Sequence, residues 1–356
     1  MSSNLKKYFK KLDAILVSSV GNIVYLTEYS GFSEIERECF LLLTKGKQYL
    51  ITDGRYSQTL KKLRNFEVLD IGAHRFISKE APDFFKKLKI KTIGFEENDL
   101  TAAEYLLLKK LARVKPVDLR NLRTVKRDDE IKNIKLACKI GDLTFDFILD
   151  KLKLGITEKQ VANQIELFIK QKNAEISFRP IVAFGKNSST PHHLSGNTKL
   201  KRNQIVLLDF GVKINNYCSD MTRTVFFGKA NNKFKEIYET VLAAQQKAIE
   251  YINGQLSMVN CQLLAKDIDK AARDYIASNN YSNIPHSLGH GIGIEVHEAP
   301  HLSPNSKDII KPGMVFSVEP GIYIENYGGV RIEDLVLVTK NGAELISHAN
   351  RDLIEI

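Results

Sequence analysis

Short apolar runs alternate with helix-like segments over the first 120 residues. The runs predicted as strands are residues 13–20, 39–43, 48–52, 66–71 and 92–95. The Lys-Gly-Lys sequence at 45–47 lies between two of these runs and is typical of a hairpin connection. Residues 101–112 have the pattern of a helix that Thr101 caps. The pattern therefore predicts a small α/β domain over residues 1–122.

The remaining residues, 123–356, contain the order helix, helix, hairpin twice. The predicted helices are residues 128–152, 157–172, 234–252 and 261–277, and the predicted hairpins end the strand-rich regions at 205–227 and 315–339. Thr157 and Gln160 form a capping box at the start of the second helix. The repetition favours two halves that are related by a pseudo-twofold axis and whose hairpins face a common centre.

Composition excludes several classes of protein. Of the 356 residues, 43% are hydrophobic and 26% are charged, which is typical of a globular protein. No apolar run approaches the roughly 18 residues of a membrane span, and the N-terminus lacks the apolar core of a signal peptide. The cysteines are scattered, without a CxxC motif, at positions 39, 138, 218 and 261. We expect a cytoplasmic protein with buried free thiols and no membrane partner.

The net charge of +10 raises the question of nucleic-acid binding. The excess of basic residues is larger in residues 1–122 than in the rest of the chain. It consists mostly of Lys-Lys pairs at helix-like positions, without interleaved aromatic residues on which bases could stack. We therefore expect a lysine-rich solvated surface and no nucleic-acid partner.

Two aspartates lie in the otherwise apolar strands of the first hairpin. Asp209 and Asp220 flank a turn at Asn215-Asn216, and a register symmetric about this turn would place the two carboxylates opposite each other on one face. Opposed carboxylates on a half-buried sheet repel each other unless a cation lies between them. The alternative interpretation is that one aspartate caps the turn while the other is exposed.

The second hairpin repeats this arrangement with two glutamates. Glu319 and Glu333 lie on strands that flank residues 326–329, and Pro320 and Gly321 indicate a bent strand end at Glu319. A single buried glutamate is usually a hydrogen-bonded structural residue. Four buried acids in two matching hairpins are more readily explained as metal ligands.

A histidine between glycines completes the candidate ligand set. His290 lies in Gly289-His290-Gly291, where small neighbours let the backbone approach another element closely. Four carboxylates and one neutral imidazole favour Mn²⁺, Co²⁺ or Fe²⁺, with Zn²⁺ as an alternative. About four negative charges require about two divalent ions, which together lower the pKa of a bound water and polarise a carbonyl. The set therefore predicts metal-assisted hydrolysis.

These residues resemble the dinuclear metallopeptidases of the pita-bread fold, and most of all the Xaa-Pro peptidases, aminopeptidase P and prolidase. The resemblance covers nearly the whole chain. Its motifs are Asp209-Phe210-Gly211, Ser219-Asp220-Met221-Thr222-Arg223-Thr224, Gly289-His290-Gly291-Ile292-Gly293, His297-Glu298-Ala299-Pro300, Glu319-Pro320-Gly321 and Val330-Arg331-Ile332-Glu333-Asp334, with 22–27, 52–56 and 94–97 in the N-terminal part.

The resemblance implies a fold and a ligand set. The fold is of the α/β (α+β) class, with an N-terminal accessory domain at 1–122 and a catalytic pita-bread domain at 123–356. Asp220, His290, Glu319 and Glu333 are expected to hold one divalent ion, most simply Mn²⁺. The second ion is expected to be held by Asp209 together with Asp220 and Glu333, which bridge the pair.

The resemblance also implies roles for residues outside the ligand set. Glu319 is expected to act as general base. His297 and a histidine of the Pro191-His192-His193 loop are expected to contact the substrate; His192 is preferred and His193 stays open. Arg331 is expected to organise the substrate beside the metals. The alternative interpretation is that these histidines lie at the surface and that Arg331 forms a structural ion pair.

The resemblance implies hydrolysis of the peptide bond that precedes proline. The preferred form is an aminopeptidase that releases the N-terminal residue from Xaa-Pro peptides. The alternative is a prolidase that is restricted to Xaa-Pro dipeptides. A binding module that has lost its metals is less favoured, because all five ligand positions are present. A homodimer is also expected from the resemblance.

Overall fold

The structure is a computed structural model that describes residues 3–257, 262–282 and 284–356. The chain forms two compact units, Met1–Arg123 and Thr124–Ile356. Cys261 lies outside the described residues, but residues 262–264 are not helical, so the helix expected from 261 begins later, at Ala265. The assignment of the two units to accessory and catalytic roles stays a prediction.

The first unit is built on a six-stranded mixed sheet. In spatial order its strands are Glu67–Asp70, Gln48–Thr52, Phe40–Thr44, Ala14–Val17, Thr92–Phe95 and Arg113–Pro116. The two central strands are apolar runs, as expected of strands buried on both faces, and apolar clusters cover both faces of the sheet. The hairpin predicted between 39–43 and 48–52 is confirmed, with Leu42 opposite Tyr49.

Helices cover both faces of this sheet. They are Ser3–Lys6, Val20–Thr27, Gly54–Leu60, Ala73–Arg75, Ala81–Leu88 and Ala102–Leu111, with short 3₁₀ or π turns at Tyr8–Lys10, Phe76–Glu80 and Arg120–Leu122. Thr101 caps the last helix in a capping box with Glu104, as predicted. The first strand is shorter than predicted and Val20 begins a helix, because the Glu96 carboxylate accepts the backbone N–H groups of Ser18 and Ser19.

The second unit follows the predicted order of helix, helix and hairpin in each half. The long helices are Asp128–Leu149, Glu158–Gln171, Asn232–Leu256 and Ala265–Ser278, and a 3₁₀ turn spans Gly185–Ser189. The capping box of Thr157 and Gln160 is present. Helical amphipathicity and its caps were thus sufficient to locate three of these helices to within a few residues.

The strands of this unit form two main sheets and two small ribbons. The first sheet has the order Met221–Phe227, Gln204–Phe210, Ile181–Phe184, and the second has the order Glu298–Leu302, Gly289–Gly291, Val315–Val318, Asp334–Thr339, Gly342–Leu345. One ribbon has three strands, Tyr217–Cys218, Val212–Ile214 and Glu175–Ile176. The other has two, Gly321–Ile324 and Gly328–Arg331.

Alternation along the strands separates an apolar face from a polar one. Val206, Leu208 and Phe210 belong to one apolar cluster with the first helix pair, and Phe316 and Val318 belong to another with the second pair. Successive side chains point to opposite faces of a strand, so Asp209, Ser317 and Glu319 point away from these clusters. The helices therefore cover one face of each hairpin and leave the acidic face for a site.

No helix among the described residues is long and apolar enough to cross a membrane. Cys39, Cys138 and Cys218 are buried free thiols, in agreement with the expectation from their spacing. Burial raises the pKa of Cys138 well above its ordinary value, so this thiol stays protonated.

Candidate active site

The register of the first hairpin differs from the one expected. Asp209 lies opposite Thr222, not opposite Asp220. The turn residues Asn215 and Asn216 both have positive φ, 50° and 70°, as a two-residue type I′ turn requires. A turn centred between them pairs Lys213 with Cys218 and continues to Asp209 and Thr222. The predicted symmetry of the two aspartates was therefore wrong. Asp220 and Thr222, two positions apart, still share a face.

The second hairpin opposes its two glutamates across an interruption. Val318 pairs with Asp334 on one side and Gly321 pairs with Arg331 on the other. Glu319 and Glu333 lie between these ladders, at positions that a continuous register would pair. The strand ends at Val318 and resumes at Gly321, with the predicted break at Pro320, which has no N–H to donate.

Every residue expected at the site lines one cavity of about 500 Å³. The predicted residues in its wall are Asp209, Asp220, His290, Glu319, Glu333, His192, His193, His297 and Arg331. They come from separate strands and loops that are up to 141 positions apart in the sequence. The tertiary structure therefore brings together the whole set that the sequence motifs indicated.

Three of the five expected ligands are close enough to hold one ion. Asp220, His290 and Glu333 each offer a ligand atom, and these atoms lie within 4.8 Å of one another. Glu319 Oε1 is 3.4 Å from His290 Nε2. Asp220 Oδ1 and Glu333 Oε1 are buried and have no hydrogen-bond partner in the described part of the chain. Buried carboxylate oxygens without donors are costly, and a divalent cation would satisfy them. The residues therefore fit a metal centre.

The ionisation of these acids points to the same need for a cation. Burial, together with the neighbouring carboxylates, raises the pKa of Asp220 and the pKa of Glu333 well above the ordinary range. Burial also raises the pKa of Glu319 to about 7. Without a cation these side chains hold protons that solvent-exposed carboxyl groups would release. Metal binding must displace those protons.

His290 is held as a neutral ligand with a defined tautomer. Burial lowers the pKa of His290 to about 4. Its Nδ1 lies 3.1 Å from the carbonyl oxygen of Gly291, which can only accept, so Nδ1 carries the proton. The lone pair of Nε2 then faces the space beside Asp220 and Glu319, where a cation would accept it. The flanking glycines are required: a Cβ at Gly289 would lie 1.9 Å from the carbonyl oxygen of Ser317.

Arg331 links the two hairpins and is buried. Its Nη2 donates to Asp209 Oδ2 at 2.5 Å, and its Nε donates to Thr222 Oγ1 at 3.0 Å. Thr222 Oγ1 in turn donates to Glu333 Oε2 at 2.6 Å. Arg331 thus orients Asp209 directly and Glu333 through one hydroxyl. Asp209 therefore faces the cavity beside a fixed positive charge.

The histidines outside the ligand set differ in their contacts. The His297 ring lies 4.3 Å from the His290 ring, centre to centre, and burial, followed by the influence of His192, lowers the pKa of His297. His193 Nε2 is 2.9 Å from an oxygen of the fully buried Glu158, whereas His192 is exposed in the cavity wall. His192 is therefore the better placed of the two to meet a substrate.

Other polar residues of the site were missed from the sequence. Ser317 donates to Glu319 Oε1 at 3.1 Å. Tyr323 accepts from Arg331 Nη1 at 2.9 Å and its hydroxyl is 2.8 Å from His286 Nε2. His286 also lines the cavity. Spacing could have found Ser317 and Tyr323, which lie two residues before and four after Glu319, but neither residue type signals a metal site by itself.

A pair of helix–helix–hairpin halves with carboxylates and a histidine around a common cavity defines a pita-bread metallopeptidase. The chain belongs to metallopeptidase family M24, whose profile matches residues 132–340, and residues 7–127 match the creatinase/prolidase N-terminal domain. The resemblance predicted from the motifs, the fold class and the assignment as a metal-dependent hydrolase are confirmed.

Relatives and solved structures match over the full length. The chain is 35% identical to an Xaa-Pro dipeptidase of Pyrococcus horikoshii over 99% of each chain. An Xaa-Pro dipeptidase structure from Bacillus anthracis has a TM-score of 0.89 at 35% identity, covering 99% of this chain and 98% of that one. An X-Pro aminopeptidase structure from Thermotoga maritima has a TM-score of 0.86 at 30% identity, covering 99% and 100%.

Proposed function

We propose that this protein hydrolyses the peptide bond that precedes proline, with Xaa-Pro dipeptides as preferred substrates. The observation that carries the proposal is the convergence of Asp209, Asp220, His290, Glu319 and Glu333 on one cavity. The relatives named above as Xaa-Pro dipeptidases support the substrate class. Residues 123–356 would carry the reaction and residues 1–122 would form the accessory domain.

The five ligands would hold two divalent ions, and we propose Mn²⁺ because the donors are mostly carboxylate oxygens. Asp220, His290, Glu319 and Glu333 would hold one ion, and Asp209 would complete the other with Asp220 and Glu333. When bound, the ions would supply an activated water and polarise the scissile carbonyl. The orphaned oxygens of Asp220 and Glu333 support this assignment.

The chain itself would move the proton and position the substrate. Glu319 lies at the proposed metal position, where its carboxylate would accept the proton of the attacking water and release it later toward the proline nitrogen. His297 and His192, on the cavity wall, would contact the substrate carbonyl side. A prolyl imide nitrogen has no N–H, so selection of the proline ring depends on steric fit.

A cation on the cavity wall supports the choice of dipeptides. Arg179 lines the cavity and is exposed, and none of the described residues forms an ion pair with it. A free guanidinium suits the C-terminal carboxylate that a dipeptide presents next to the scissile bond. The second candidate is an Xaa-Pro aminopeptidase acting on longer peptides. The match to the Thermotoga maritima X-Pro aminopeptidase, at 30% identity over 99% of this chain, supports it.

Cleavage of Ala-Pro and Ala-Pro-Ala with Mn²⁺ present separates these candidates. We expect faster turnover of Ala-Pro, and we expect Arg179→Gln to raise KM for Ala-Pro while leaving Ala-Pro-Ala little changed. Faster cleavage of the tripeptide, with no effect of Arg179→Gln, would favour the aminopeptidase. No cleavage of either peptide after chelation and reloading with Mn²⁺, Co²⁺ or Zn²⁺ would favour a binding module and contradict the proposed function.

A further inference from the structure

A buried amide lies behind the interrupted strands of the second hairpin. Gln245 belongs to the helix Asn232–Leu256 and is fully buried. Its Nε2 lies 3.1 Å from the carbonyl oxygen of Val318 and 3.3 Å from that of Ile332. These residues immediately precede Glu319 and Glu333. One side chain therefore contacts the backbone of both strands at the point where each presents its carboxylate.

The same amide joins a buried ionic network. Gln245 Nε2 lies 3.0 Å from Asp334 Oδ2, while Asp334 Oδ1 accepts from Arg223 Nη2 at 2.6 Å. Arg223 Nη1 donates to the carbonyl oxygen of Glu333 at 2.6 Å and to that of Thr222 at 3.0 Å. Glu333 is therefore held by backbone contacts on both sides. Its side chain points toward the cavity, whereas Asp334 points toward the helix.

Packing alone does not explain a glutamine at this position. Val241, Ala244 and Ala248, its neighbours on the helix, belong to the apolar cluster of this half. Gln245 Oε1 is buried and has no hydrogen-bond partner among the described residues, which costs free energy that an apolar side chain of similar length would avoid. The hydrogen bonds that the Gln245 amide donates must therefore offset this cost.

We propose that Gln245 is a positioning residue for the metal centre, which fixes the separation of Glu319 and Glu333 across the gap between the two ladders. Regular pairing ends at Val318 and resumes at Gly321, and within the gap the strands share only one long backbone hydrogen bond among the described residues, from Ile332 N–H to the Pro320 oxygen at 3.4 Å. Gln245 acts on the carboxylates through their backbone and does not touch the substrate. The inference rests on the proposed function only in taking Glu319 and Glu333 as metal ligands.

The test compares Gln245→Met with Thr240→Val in the full-length protein. Methionine keeps the length of the side chain but removes the donor. Thr240 lies on the same helix, is buried and donates only within the helix, to the carbonyl oxygen of Glu236 at 2.8 Å, so its variant controls for general loss of a buried hydrogen bond. Binding of Mn²⁺ to the chelator-treated proteins is measured by titration calorimetry, at a temperature where circular dichroism shows each variant to be folded.

We expect Gln245→Met to weaken Mn²⁺ binding about 10- to 100-fold, the usual effect of losing a residue that supports a metal ligand. Thr240→Val should change it less than twofold. In the metal-saturated enzyme, kcat should fall more than KM rises. An unchanged Kd in folded Gln245→Met, or an equal change in Thr240→Val, would overturn the proposal. If Gln245→Met does not fold, Gln245→Asn, which shortens the amide, is measured in the same way.

This experiment separates the inference from the proposed function. A wild-type protein that binds Mn²⁺ but cleaves no Xaa-Pro peptide would contradict the proposed function, and the effect of Gln245→Met on Kd would still decide the inference. A wild-type protein that cleaves such peptides, with no change in Kd in the variant, would contradict the inference alone.

Discussion

The two acidic hairpins of the second unit present their carboxylates in different ways. The first hairpin keeps one register from its turn to its end, so Asp209 lies within a continuous ladder opposite Thr222. The second hairpin is interrupted, and Glu319 and Glu333 lie in the gap. The first hairpin relies on a tight turn to place its aspartates. In the second, one long hydrogen bond from Ile332 N–H to the Pro320 oxygen at 3.4 Å spans the gap, and the N–H groups of Glu319 and Glu333 donate to other strands.

The hairpins also differ in how their charges are compensated. Asp209 has a permanent partner, because Arg331 contacts it at 2.5 Å. Glu319 receives one hydrogen bond from the neutral Ser317, and Glu333 receives one from the neutral Thr222. Asp209 is therefore partly neutralised by Arg331, although burial still raises the pKa of Asp209, whereas Asp220, Glu319 and Glu333 depend on protons or metal ions. This difference predicts different responses to substitution, pH and metal removal.

The largest expected effect is on catalysis, in the second hairpin. Glu319→Ala should reduce turnover of Ala-Pro by roughly 10³-fold or more, because general base catalysis alone contributes about 10²–10⁴-fold and a ligand is lost as well. The fold should remain, as judged by circular dichroism, because the side chain lies at the cavity. A rate near that of the wild type, measured with saturating Mn²⁺, would rule out Glu319 as the base.

The next effect concerns stability and should appear in the first hairpin. Asp209→Asn removes the charge that compensates the buried Arg331 and should lower the free energy of unfolding by about 3 kcal/mol. Glu319→Gln, the matched change in the second hairpin, should not destabilise the metal-free protein, because it removes an uncompensated buried charge. Urea unfolding after chelation at pH 8 measures both. Equal destabilisation by the two substitutions would contradict the proposed difference in charge compensation between Asp209 and Glu319.

A pH effect of similar size is expected from the acids that lack a cationic partner. The pKa of Glu319 is raised from its ordinary value to about 7, so the folded, metal-free protein binds more protons than the unfolded chain between about pH 4.5 and 7. Stability should therefore fall as pH rises through this window, by roughly 3 kcal/mol from this group. Raised pKa values of Asp220 and Glu333 act in the same direction.

Urea unfolding of the chelated protein at pH 5 and pH 8 tests this expectation, with Glu319→Gln as the control that should reduce the difference. Saturating Mn²⁺ should remove most of the loss at pH 8, because the ions replace the displaced protons. The lowered pKa of His290 acts in the opposite direction, so the effect of Glu319 is the difference in pH dependence between the wild type and Glu319→Gln. An equal pH dependence of the two proteins would contradict the expectation.

The smallest effect should come from the turn that sets the first register. Asn216→Ala removes the short amide that lets asparagine adopt a φ of 70°, which should cost about 1 kcal/mol of stability, whereas Asn216→Gly should be nearly neutral. Turnover should change little in both, since the ladder continues for many pairs beyond the turn. Thermal unfolding of the two variants gives the difference. Equal stability of the alanine and glycine variants would argue against a strained turn.

Much of the fold could be predicted from local patterns. The helices of the second unit follow amphipathic spacing and caps such as Thr157, and the central strands of the first unit are unbroken apolar runs. The register of the first hairpin failed as a prediction because it was centred on the aspartates instead of the turn. Two consecutive asparagines are a strong turn signal, so correct counting from Asn215-Asn216 pairs Asp209 with Thr222 without a structure.

The motifs by themselves determined the family, the two-part organisation and the acids, histidines and arginine expected at the cavity, because such residues are few chemical types at characteristic places in strands. Tertiary structure alone decided the contacts between these residues. Arg331 contacts Asp209, Glu158 contacts His193 and not His192, and Gln245 of a helix contacts the carbonyl oxygens of Val318 and Ile332. Such contacts join residues that are tens to more than a hundred positions apart, and no local pattern encodes the distance between them.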